Sequence, residues 1–63
     1  MTNHALVLKA FDHLACTVNH VNTLIPAVQR LGPTAEHLAR QLVEQAINDG
    51  VLTMDSLGEV RKA

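Results

Sequence analysis

Sixty-three residues, 48% of them hydrophobic, with a net charge of −1, bound the chain to one small folded domain. That hydrophobic fraction excludes an obligately disordered chain, and no run approaches the ~18 apolar residues of a membrane-spanning helix. Five Lys+Arg stand against six Asp+Glu, the cations are scattered at Lys9, Arg30, Arg40, Arg61 and Lys62, and there is one phenylalanine but no tyrosine or tryptophan. A generic nucleic-acid binder needs clustered cations and stacking rings, so both observations count against one.

A chain this short is marginally stable without help. Its single cysteine, Cys16, excludes an internal disulfide. Association is the remaining route to a larger core. The opening Met-Thr-Asn-His lacks the basic stretch of a secretory signal, so the expected location is cytoplasmic.

The strongest pattern lies at the start. Val7, Phe11, Leu14, Val18, Val21, Ile25 and Val28 alternate steps of four and three, which places them on one helical stripe. Leu6, Ala10, His13, Thr17, His20, Leu24 and Leu31 form a second stripe beside it. The pattern predicts a long first helix over about 3–31, capped by Thr2 or Asn3, kinked at Pro26 and ended by a left-handed Gly32. A break near Asn22–Thr23 is the alternative to the kink. Two adjacent sticky stripes ask for two neighbours, one from the same chain and one from outside it. The expectation is therefore a homodimer whose interface uses Val7, Phe11, Leu14, Val18, Val21, Leu24, Ile25 and Val28. His13, Thr17 and His20 would form a polar layer at its edge, with Cys16 as a small filler.

Gly32-Pro33-Thr34 punctuates the chain, and Thr34 can cap a second helix over about 34–49. Ala35, Leu38, Leu42, Ala46 and Ile47, widened by Ala39 and Val43, give that helix its apolar side. Thr53 can cap a short third helix over about 53–61, with Asp55 at its start and Arg61 and Lys62 at its end, held by docking of Leu57 and Val60. The fold expected from these elements is all-α: a helical hairpin with a long kinked first helix and a short C-terminal helix, dimerising into a helical bundle.

Little in the chain points to catalysis. His13, Cys16 and His20 are zinc-ligand types, but on one helix His13 and His20 lie about 10 Å apart, too far to share an ion. Asp12–His13 and Asn19–His20 are sequence neighbours and so point about 100° apart on a helix. Asp55-Ser56-Leu57 matches the three-residue core of an acyl-carrier attachment site but sits too near the end of the sequence. The expectation is no enzyme, no cofactor and no metal.

A rival layout treats Pro33 to Asp55 as the tail of a winged helix, with Thr34 to Asp49 as recognition helix and Gly50-Val51-Leu52 entering a wing. Mixed charge on the second helix, from Glu36, Glu44 and Asp49 beside Arg40, weighs against it, as does the short stretch left for a second wing strand. The leading expectation is a non-catalytic adaptor, regulator or inhibitor that binds another protein, of the kind found as accessory proteins of phages or mobile elements. Its partner surface would combine Arg40, Gln41, Glu44 and Gln45 with Arg61 and Lys62. A small nucleic-acid-binding transcriptional or copy-number regulator is the alternative.

Overall fold

A computed structural model describes residues 3–32 and 35–63, and in it the stretch expected to be one long helix is two helices joined through a strand. The first, α1 (Asn3–His13), is closed by a turn in which the amides of Leu14 and Ala15 donate to the carbonyls of Phe11 and Asp12, each at 3.2 Å. Ala15 has φ +56, a left-handed conformation that a right-handed helix cannot propagate through. Beyond it the β-branched Thr17 and Val18 enter a short strand, β1 (Val18–His20), which suits their stiff side chains.

The second helix, α2 (Val21–Leu31), begins at His20, whose Nδ1 accepts the amide of Asn22 at 3.0 Å as a helix cap. Pro26 lies inside α2 and the helix continues through it. The carbonyl of Asn22 loses its usual donor there, and both residues are exposed, so water can take the missing partner's place. Gly32 ends α2 at φ −151, not in the left-handed region expected for it, and a Cβ there would fall 2.5 Å from Leu6. The third helix, α3 (Glu36–Asn48), has Ala35 at its cap position; the expected caps Thr34 and Thr2 lie outside the described residues.

The third correction concerns the end of the chain. Instead of a short helix, β2 (Leu52–Met54) and β3 (Glu59–Lys62) form a hairpin. The Asp55 carboxylate accepts the amides of Leu57 and Glu59 at 2.9 and 3.0 Å, and Gly58 turns the chain at φ +83. An Asx-type turn with glycine in the left-handed position is a standard hairpin connection, and it competes successfully with a helix that Gly58 would weaken. Strand order is β1-β3-β2, antiparallel throughout, with Val18 opposite Arg61 and Arg61 opposite Thr53.

All three helices and the sheet share one core. Val7, Ala10 and Phe11 from α1 meet Leu24, Ile25 and Val28 from α2, Ala39, Val43 and Ala46 from α3, and Leu52 and Val60 from the hairpin, all between 0 and 3% exposed. The buried Asn19 is satisfied by donating its amide to the carbonyl of Cys16 at 3.1 Å. The chain is therefore α+β, and the all-α helical bundle is overturned by the three-stranded sheet. The continuous stripe misled because α1 and α2 each turn one apolar face to the same core, with a spacer that happens to preserve the phase.

His4 on α1 bonds Asp49 beyond the end of α3 at 2.8 Å, tying distant parts of the chain. The pair is partly exposed, so His4→Ala should lower stability by less than about 1 kcal/mol. Thermal unfolding followed by circular dichroism at neutral pH measures that shift.

Candidate nucleic-acid interface

The exposed side of α3 is the most chemically specific surface in the fold. Ala39, Val43 and Ala46 bury one face. At about 100° per residue, His37, Gln41, Glu44 and Asn48 fall on the opposite side as a single stripe, flanked by Arg40 and Gln45. All six are exposed. Arg40 lies 3.9 Å from Glu36, a loose surface pair that leaves its guanidinium free to be recruited elsewhere. The stripe thus offers amides, an imidazole, a carboxylate and a guanidinium on a rigid, well-packed helix.

The elements around α3 set its presentation. α2 packs against it through Leu24, Ile25 and Val28. Gly32 leads out of α2 into the connection, and Arg30 occupies the last turn of α2 beside it. On the other side β2 contacts α3 and carries the hairpin turn, where Leu57 is 73% exposed. Val21 donates its amide to the carbonyl of Gly58 at 2.9 Å, and the His20 ring lies against Gly58. The turn is thereby docked on the start of α2.

The elements run helix, strand, helix, helix and hairpin, with strand order β1-β3-β2, and both α2 and β2 contact α3. α2 and α3 are thus consecutive helices, and the β2–β3 hairpin follows them in the chain. The expectation that too little chain remains after Gly50-Val51-Leu52 for a second strand is corrected by β3. Comparisons with known protein families, with curated proteins and with solved structures returned no match.

The residues singled out from sequence are redistributed. Of those assigned to a seam between two copies, Val7, Phe11, Leu24, Ile25 and Val28 are buried inside the single chain. Leu14 and Val21 pack partly buried against the same core, and Val18 is exposed at 36%. Among the described residues, that stripe is therefore not continuously exposed. His13, Thr17 and His20 are all exposed, but they belong to the end of α1, the loop after it and the cap of α2, so they form no common layer. Cys16 is an exposed free thiol, not a buried filler. Arg40, Gln41, Glu44 and Gln45 do share the outer side of α3. Arg61 and Lys62 are separated from them and line a groove against α1 and β1. Sequence reasoning missed His37 and Asn48 as members of the α3 stripe; their spacing of four, three and four from Gln41 and Glu44, opposite the three buried residues, was the available signal. Among the described residues, no helix is long and apolar enough to cross a membrane.

Proposed function

We propose that the chain is a small winged-helix regulator that reads duplex DNA with α3. The observation that carries the reading is the stripe His37–Gln41–Glu44–Asn48 with Arg40 at its side, in the position where a helix-turn-helix pair presents its recognition helix. Gln and Asn match the donor–acceptor edge of adenine, Arg that of guanine, and Glu accepts from the amino group of cytosine. An α-helix fits the major groove, so these groups can approach base edges without deforming the protein. The β2–β3 hairpin, as the wing, adjoins α3 through β2, where phosphates of the same duplex would pass.

The charge distribution shapes the expected behaviour. With Arg40 the cation on α3 and the chain's other cations scattered, only two or three phosphates are neutralised, and each contributes about −0.9 to the slope of log affinity against log salt. Nonspecific binding is therefore weak and the slope shallow, about −2 to −3. Discrimination rests on base contacts. Arg40→Ala and Gln41→Ala should each weaken binding to a selected site about 10- to 100-fold, while the far-surface change Lys9→Ala leaves it unaltered. Fluorescence anisotropy on a labelled duplex measures all of these, and affinity of the Arg40 and Gln41 variants equal to that of the parent chain would reject the reading. The symmetry of the selected site tells whether one copy or two occupies it.

A second reading has its own observation. Leu38, Met54 and Leu57 are exposed at 44, 48 and 73%, and Glu36, Glu44, Asp55 and Glu59 accompany them on α3 and the hairpin. That mixture of apolar and acidic groups suits another protein as partner, the leading expectation from sequence. Leu38→Ala and Leu57→Ser together would abolish such an association and leave Arg40→Ala without effect.

A further inference from the structure

At the end of the sheet away from the hairpin turn, α1, β1 and β3 enclose an open groove of about 480 Å³. Its apolar part is Phe11, Ala15 and Val18, and Thr17, Arg61 and the Asp12–Lys62 ion pair complete the lining with Cys16. The volume falls within the range of ordinary ligand sites, about 300–1,000 Å³. The two cations differ in state. Lys62 is held by the carboxylate of Asp12, whereas Arg61 has no acidic partner among the described residues. Across the sheet Arg61 faces Val18 on one strand and Thr53 on the other, both uncharged. An unpaired guanidinium beside an apolar floor is complementary to a carboxylate next to an apolar side chain.

We infer that this groove is a docking site for a short segment of a partner protein in which acidic residues flank a bulky apolar one. The openness to solvent suits an extended peptide, which can lay one apolar side chain against Phe11 and Val18 while a flanking carboxylate takes two of the guanidinium N–H donors of Arg61. A neutral or basic segment would leave Arg61 unpaired or repelled. The position matters as well: register places Lys62 opposite Leu52 and Glu59 opposite His20, so the groove and the hairpin turn are at opposite ends of β3. α3 and the turn can be engaged with one partner while the groove holds another. This inference does not depend on what α3 binds.

The test uses the full chain labelled with nitrogen-15 and three probes: the peptide acetyl-Glu-Asp-Leu-Glu-amide, its counterpart with lysine at every acidic position, and N-acetyl-leucine as a small apolar carboxylate. The acidic peptide should shift the amide signals of Ala15–Val18 and Arg61, slow alkylation of the exposed Cys16 thiol several-fold, and lose affinity at least tenfold on Arg61→Ala. Arg40→Ala should leave that binding unchanged, and the lysine peptide should not bind. Equal binding of the lysine peptide, shifts confined to α3, or no shift at millimolar acidic peptide would each overturn the proposal. So would binding of N-acetyl-leucine as tight as that of the peptide, which would make the groove a small-molecule site. A concentration-dependent dimer that protects Cys16 without any peptide would instead assign the groove to a second copy.

Discussion

Val28→Asp is expected to unfold the chain, whereas Val18→Asp should leave it folded. Val28 is fully buried where α2 meets α1 and α3, and a carboxylate there is removed from water into a cluster that, among the described residues, is apolar. The penalty is several kcal/mol, comparable with the whole stability of a domain this small. Val18 is 36% exposed on the outer side of β1, where an aspartate stays solvated and faces Arg61 across the strand pair. Its cost should stay below about 1 kcal/mol. The contrast separates two architectures, because both valines lie on the single stripe that a long first helix would bury between copies. Far-ultraviolet circular dichroism and urea denaturation distinguish the outcomes: a folded Val28→Asp variant, or an unfolded Val18→Asp variant, contradicts the packing described here.

Gly58→Val carries the second large effect. Gly58 sits at φ +83, a conformation that costs a β-branched residue about 1–3 kcal/mol. A Cβ at this position would also lie 2.8 Å from Nε2 of His20, forcing the imidazole aside. That ring cannot move without straining its Nδ1 bond to the amide of Asn22, a helix cap worth about 1 kcal/mol. The combined loss is about 2–4 kcal/mol, and it falls on the contact that docks the hairpin turn onto α2. His20→Ala with Gly58 retained should lose only the cap contribution. If Gly58→Val proves as stable as the parent chain by urea titration, the His20–Gly58 contact does not secure the hairpin.

The apolar residues of α1, α2 and α3 were legible from their spacing, because burial of a helix face leaves a period near 3.6 in the sequence whatever it packs against. The identity of the neighbour was not legible. Val7, Phe11, Ile25 and Val28 read as one stripe because two helices facing the same core can share a phase across the intervening strand. Ala15 gave no warning of the break: alanine is the strongest helix former, and its left-handed φ is imposed by the tertiary fold. The hairpin was different. Asp55-Ser56-Leu57-Gly58 places aspartate and glycine where a turn needs them, but β2 and β3 are 3 and 4 residues long, too short for period-two alternation to stand out. The candidate site was half visible. Arg40, Gln41, Glu44 and Gln45 were read as one surface, while joining Arg61 and Lys62 to them assumed a third helix that the β2–β3 hairpin replaces.

The reading of α3 as a base-contacting helix meets its most direct test in selection of duplexes from a pool with a randomised centre, using the full chain at low salt. The account predicts enrichment of one short motif, and loss of that enrichment when His37, Gln41 and Asn48 are all replaced by alanine in a chain that still folds. A pool that stays random after repeated rounds, or a motif enriched equally by the triple variant, would contradict it.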